Sequence, residues 1–159
     1  MDKKFEITGT TKLTCLLGNP VSHSISPAMH NASFQKLGLD YTYLAFSVDE
    51  THFERAVDGL ITLGAAGWNC TMPLKRLMYE RVDTLSDSAL LSGAVNTVVN
   101  RDGQLFGDNT DGYGFWESLR RNNIEFVSKK ATLVGPGGVG AAICVQGALD
   151  GLGEIAIFT

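Results

Sequence analysis

The sequence predicts an α/β protein built on a mainly parallel open sheet. Short apolar and β-branched runs alternate along the chain with stretches of helical periodicity. Glycine supplies 18 of 159 residues, ~11% against a typical ~7%, without a collagen period or a low-complexity block. Tight turns between many short elements account for such an excess.

Lys12 to Leu17 is an apolar run stopped by Gly18-Asn19-Pro20, so it reads as a strand entering a loop. In the segment Ser22-His23-Ser24-Ile25-Ser26-Pro27, proline suits a first helical position and Ser26 is placed to cap it, while Gly38 supplies a left-handed stop. Tyr41 to Val48 is rich in aromatic and branched residues and is the next strand. Thr51-His52-Phe53-Glu54 fits a capping box, after which Phe53, Ala56, Val57, Leu60 and Ile61 form one apolar stripe ending at Gly64. Ala66 to Thr71 is then a strand, Pro73 to Val82 a short helix, Asp87 to Leu91 another helical piece and Ala94 to Val99 a strand. Asp102-Gly103 marks a hairpin with its return arm at Gln104 to Gly107, which puts one antiparallel pair at the edge of an otherwise parallel sheet.

A helix from Gly112 to Arg121 and a polar connection to Lys130 lead into an almost uncharged segment. There Ala131 to Val134 reads as a strand, Gly135 to Gly140 as a glycine loop, Ala141 to Leu149 as a helix and Glu154 to Phe158 as a strand. These form the first βαβ unit of a Rossmann-like fold. One such unit leaves sheet faces uncovered, and the sequence stops on an apolar strand at Thr159, so it reads as part of a longer protein.

Composition narrows the function classes. Thirteen Lys and Arg face seventeen Asp and Glu, a formal net charge of -4, and the basic residues cluster only as Lys3-Lys4, Arg120-Arg121 and Lys129-Lys130; nucleic acid is not an expected partner. No run approaches the roughly 18 apolar residues of a membrane span, and the charged start Met-Asp-Lys-Lys-Phe-Glu does not suit a secretion signal, so a cytoplasmic protein without a membrane partner is expected. Cys15, Cys70 and Cys144 are odd in number and far apart, which points to small buried thiols rather than disulfides or zinc ligands. His23, His30 and His52 have no helical i, i+4 partner, and no metal site is expected.

Three groups of residues can carry chemistry. Gly135, Gly137 and Gly140 match G-x-G-x-x-G in the required strand-to-helix context, where the glycines permit a turn, close approach to a pyrophosphate and packing of helix on strand. Pro136 removes one backbone donor there, leaving the amides of Gly138, Val139 and Gly140 for phosphate. Ser22, Ser24 and Ser26 precede a helix N-terminus that suits an anion such as a carboxylate. Asn69, Thr71 and Lys75 lie at and just beyond a strand end, Asn96 near another, and Asp111 in Asn-Thr-Asp-Gly, which by itself reads as an Asx turn. A lysine and a carboxylate facing one polyol would form a proton-transfer pair.

Taken together, Gly18-Asn-Pro-Val-Ser-His-Ser-Ile-Ser-Pro27, Asn69-Cys-Thr-Met-Pro-Leu-Lys75, Gly93-Ala-Val-Asn-Thr97 and Gly107-Asp-Asn-Thr-Asp-Gly112 resemble the shikimate dehydrogenase family, including its quinate/shikimate branch, from Lys12 to Phe158. The resemblance implies that Lys75 and Asp111 are the catalytic pair, and that Ser24 and Ser26 hold a substrate carboxylate. It implies that Asn69, Thr71, Lys75, Asn96 and Asp111 contact the ring hydroxyls and the reacting oxygen, and that Gly135, Gly137, Gly138, Val139 and Gly140 hold cofactor phosphates. The implied division is 1–111 for a substrate-binding and catalytic domain and 112–159 for a hinge helix and the opening of an NAD(P)-binding domain. The implied reaction reduces 3-dehydroshikimate to shikimate with NADPH in aromatic amino-acid biosynthesis. Quinate with NAD is the alternative, a non-catalytic shikimate-binding fragment a further one, and a homodimer is allowed. The family usually has alanine at the position of Pro136, and it often begins an Asn-Arg-Ser/Thr loop for the NADP phosphate at the position of Thr159.

Overall fold

The structure, a computed structural model, describes residues 6–135 and 137–158. The expectations attached to the N-terminal start before Glu6, to Pro136 and to Thr159 lie outside the described residues. Along the chain run β1 (Lys12–Gly18), α1 (Ser26–Leu37), β2 (Tyr41–Ser47), α2 (Phe53–Thr62), β3 (Gly67–Cys70), α3 (Lys75–Arg81), β4 (Thr84–Leu85), α4 (Asp87–Ser92), β5 (Thr97–Arg101), β6 (Gln104–Asp108), α5 (Asp111–Arg121), β7 (Lys130–Val134), α6 (Gly138–Leu149) and β8 (Glu154–Phe158).

Six strands form one sheet in the order β2-β1-β3-β5-β6-β4. β1 is parallel to β2 from Lys12↔Tyr41 to Gly18↔Ser47, and parallel to β3 from Thr14↔Gly67 to Leu17↔Cys70. β5 is antiparallel to both β3 and β6, while β4 is parallel to β6. The sheet is therefore mainly parallel with one reversed strand inside it. The antiparallel hairpin exists but is not the edge, because the two-residue β4 caps it; so short a strand has no periodicity for a sequence to display. One consequence governs function. β1, β3 and β6 end on the same side of the sheet, so the segments after Gly18, Cys70 and Asp108 emerge together.

The larger core lies on one face, where Phe53, Val57 and Leu60 of α2 and Met78 of α3 meet Cys15, Leu17, Trp68 and Val98. Phe53 and Val57 are almost wholly buried, as the stripe requires. At roughly 1.5–3 kcal/mol per buried side chain of this size, packing outweighs any single cap in holding α2. On the opposite face Leu16, Val21 and Tyr43 pack with Phe34 of α1.

Two helix starts differ from expectation. Ile25, not Ser26, occupies the cap position of α1, with no side-chain cap bond; Ser26 is already helical, and its N–H donates to Ser24 Oγ at 3.2 Å. At α2 the cap position falls to His52, and the Thr51–Glu54 box does not form. Asp49 organises that turn instead: its Oδ1 accepts from Thr51 Oγ1 at 2.7 Å and from the His52 N–H at 3.0 Å. A carboxylate beside free helical amides outcompetes a hydroxyl for them. Gly38 does terminate α1, in the left-handed region at φ 66°.

β7 and β8 pair in parallel from Lys130↔Glu154 to Val134↔Phe158, with α6 between them in sequence, which is the expected opening βαβ unit. α6 begins at Gly138, three residues earlier than the sequence suggests. α5 joins the two sheets by packing on α6. Trp116 Nε1 donates to the Ile143 carbonyl at 2.8 Å, and Arg120 pairs with Asp150 at 2.7 Å. No described helix is long and apolar enough to cross a membrane. Cys15 and Cys70 are buried, and burial pushes both thiols up to about 12; Cys144 is only half-buried.

Candidate active site

The segments that leave β3 and β6 bring a lysine and a carboxylate together across 36 residues of sequence. After Cys70 the chain turns through Thr71 to Leu74, whose N–H donates to the Thr71 carbonyl at 2.8 Å, and α3 starts at Lys75. Lys75 Nζ donates to Asp111 Oδ2 at 2.6 Å. Side-chain exposures of 19% and 23% leave the pair reachable by a ligand while removing it from bulk water.

Asp111 is fixed from its other side. Asn96 Nδ2 donates to Asp111 Oδ1 at 2.8 Å, so both carboxylate oxygens are engaged and the group cannot rotate freely. Asn96 is buried, and its Oδ1 accepts from the Thr110 N–H at 3.0 Å and from Thr97 Oγ1 at 2.8 Å. The Asx turn predicted at Asn109-Thr110-Asp111 belongs to Asn109, whose Oδ1 accepts the Asp111 N–H at 3.1 Å. Buried Asn109 is itself anchored by donating to the Ala94 carbonyl at 3.1 Å.

Asn69 extends the network toward β2. Its Nδ2 donates to the Asn96 carbonyl at 3.1 Å and to Thr97 Oγ1 at 3.0 Å, and its Oδ1 accepts from Tyr43 Oη at 2.7 Å. Tyr43 is 2% exposed, and burial pushes its phenol well above the usual tyrosine range, so the phenol stays a donor. Among the described residues no buried side-chain nitrogen or oxygen lacks a partner. Such a fully connected polar network has one low-energy arrangement.

Ser24, Ser26 and Thr71 do not join this network; they line a neighbouring cavity of about 320 Å³ together with His23 and Ile25 at the start of α1. Thr71, two residues past Asn69 and four before Lys75, links the two regions along the chain. The sequence thus locates seven residues that the fold gathers at one end of the sheet. It misses Tyr43, Thr97, Thr110 and Asn109. The last three stand inside the motifs quoted above, whereas Tyr43 is one aromatic in an aromatic strand and nothing local marks it.

The glycine loop leaves the end of β7. Gly135 adopts φ 81°, which demands glycine, and a Cβ at Gly137 or Gly138 would meet nothing within 4 Å, so the loop backbone is open to a close-lying group. The first turn of α6 carries no acidic residue to oppose an anion, and buried Gly140 packs on Leu133. The residues fit a dinucleotide pyrophosphate. Asp111 lies close to this helix in structure: a Cβ on its neighbour Gly112 would sit 2.2 Å from the Ala142 carbonyl oxygen, so α5 and α6 meet backbone to backbone at this point. Among the described residues no cluster of three or more His, Cys, Asp or Glu could hold a metal ion.

An α/β sheet whose strand ends carry a lysine–carboxylate pair, continued into a glycine-loop βαβ unit, defines a two-part α/β protein whose second part opens as a Rossmann-like fold. Residues 16–98 match the family model of the shikimate dehydrogenase substrate binding domain, and the chain belongs to that family. It is 49% identical over 152 residues to a shikimate dehydrogenase (NADP(+)) of Listeria monocytogenes, covering 96% of this chain and 52% of that one. A crystal structure of shikimate 5-dehydrogenase from Listeria monocytogenes, in complex with shikimate and NAD, superposes with a TM-score of 0.92 at 49% identity over 96% of this chain and 53% of that one. The Thermus thermophilus shikimate 5-dehydrogenase in complex with NADP(H) and shikimate gives 0.84 at 34% identity over 93% and 56%. The chain spans about half the length of the curated relatives it matches.

Proposed function

We propose that the chain is the substrate-binding half, with the start of the cofactor half, of an oxidoreductase that reduces 3-dehydroshikimate to shikimate with NADPH. Residues 1–111 form the substrate domain in this reading, and 112–159 the hinge helix and opening of the cofactor domain. The observation that carries it is the 2.6 Å pair of Lys75 with Asp111, held by Asn96 at the common end of β3 and β6.

When bound at Gly135, Gly137, Gly138, Val139 and Gly140, the dinucleotide supplies the hydride for the substrate carbonyl carbon. Lys75 Nζ donates the proton to the carbonyl oxygen as it becomes an alcohol. Asp111 holds the lysine in place and balances charge as the oxyanion develops, and Asn96 keeps the carboxylate aimed. Asn69 Oδ1 accepts from a ring hydroxyl, both Asn69 Nδ2 hydrogens being engaged, Thr71 accepts from or donates to another, and Ser24 and Ser26 bind the carboxylate at the start of α1. Among the described residues Ser26 Oγ makes no protein hydrogen bond, which leaves it available to a ligand.

The relatives' names favour NADP, and one solved relative is described with NAD. Titrating the full-length protein with shikimate, quinate, NADP and NAD by calorimetry tests the reading. Shikimate binding strengthened by NADP is expected; quinate with NAD in its place overturns the substrate and cofactor assignment, and binding of neither acid overturns the function. A cytoplasmic setting belongs to the same proposal and is supported by the free buried thiols of Cys15 and Cys70. A homodimer is supported only by exposed Leu44 and Phe46 on β2, and sedimentation velocity decides it.

A further inference from the structure

We propose that Asn31, on α1 and outside every motif above, is a positioning residue that sets the aim of Tyr43 on Asn69 and, through it, affinity for the polyol ring; this rests on the function just proposed. β2 is an edge strand, and an edge strand leaves alternate backbone groups unpaired. Asn31 takes both groups of one residue: its Nδ2 donates to the Tyr43 carbonyl at 2.9 Å, and its Oδ1 accepts the Tyr43 N–H at 2.8 Å. A side-chain amide thereby completes the sheet at the residue whose phenol holds Asn69 at 2.7 Å.

His30, the neighbour of Asn31, stacks on the Tyr43 ring with centroids 4.2 Å apart and planes 13° from parallel. One helix therefore fixes the backbone of Tyr43 with one residue and its ring plane with the next. The same helix begins at Ser26, two residues after Ser24, at the carboxylate end of the proposed site. The two-point clamp of Asn31 fixes the place of Tyr43 along β2 and so the point at which its hydroxyl meets Asn69 Oδ1. The contact of Asn69 with the ring follows that aim as affinity; the chemical step at Lys75 does not.

A bland alternative exists: Asn31 only shields an edge strand and contributes stability. A double-mutant cycle in the full-length protein separates the two, with Asn31→Leu, Tyr43→Phe and the double variant read by shikimate KM, kcat and thermal midpoint. The expected result is a KM raised about tenfold by each single change with kcat within about threefold, and a double variant no worse than the weaker single variant, because both act through one hydroxyl. Should Asn31→Leu fail to fold, Asn31→Asp, which keeps the acceptor and loses the donor, serves in the same cycle with a smaller KM rise. An unchanged KM beside a lowered thermal midpoint, or KM effects that multiply in the double variant, overturns the role of Asn31 while leaving the proposed function intact. Absence of any shikimate turnover in the wild-type protein overturns both.

Discussion

Asp49 is held to about 2, first by the Thr51 hydroxyl and then by His52, on a half-exposed turn. Its folded pKa lies below the unfolded value of 3.8, so its contribution to stability is complete above pH ~4 and drains away as pH falls toward 2. Urea titrations at pH 6 and pH 2.5 should therefore find Asp49→Asn costing clearly more stability at the higher pH than at the lower; equal losses at both would contradict the assignment. The buried thiols carry the opposite sign. Cys15 and Cys70 sit near 12 in the fold against 9.0 when exposed, so stability present below pH 9 is lost between pH 9 and 12, and Cys70→Ala should flatten that alkaline decline. Residue by residue, the proposed catalytic and substrate groups could be read in the sequence because each stands in a compact motif at a strand end. Tyr43 and Asn31 could not. Their bonds reach 26 and 12 residues away, and no spacing rule for helix or strand encodes a contact made only by tertiary packing. Thr51 shows the reverse error, where a good local cap lost to the Asp49 carboxylate, while α1 starts after Ile25 with no side-chain cap at all.

Among the elements, α5 bears the most consequence, since it starts at Asp111 and rests on α6 within one turn of the glycine loop. Gly112 leaves no room for a side chain: an added Cβ would lie 2.2 Å from the Ala142 carbonyl oxygen and 2.7 Å from Gln146 Cβ. Gly112→Val must push α5 off α6. A loss of about 1–3 kcal/mol in unfolding free energy is expected from such overpacking, together with weaker NADP binding, because the helix that carries Asp111 moves relative to the loop. Calorimetric unfolding and cofactor titration of the variant check this, and a variant with wild-type values for both would show that the helices can separate without cost. The amphipathic α2 and the apolar β1, β2 and β3 were plain from periodicity. β4 was not, and the reversal of β5 between β3 and β6 depended on a pairing order that hairpin chemistry at Asp102-Gly103 only half specifies.

For the whole molecule, the mainly parallel six-stranded sheet and the separate β7–β8 pair match the expected fold class, an open sheet followed by the opening βαβ of a Rossmann-like fold. Half of the curated relatives' length is represented here, so hydride transfer is a property to be measured on the full-length protein. The account rests on Lys75 as proton donor within a site built mostly by other residues. Steady-state reduction of NADP by shikimate in full-length wild type and Lys75→Ala, with shikimate affinity measured on both, tests it most directly. The account predicts turnover lower by about three orders of magnitude in the variant with shikimate affinity within about tenfold, since the lost interaction is strongest in the transition state. Wild-type turnover in Lys75→Ala, or intact turnover with affinity abolished, would contradict it.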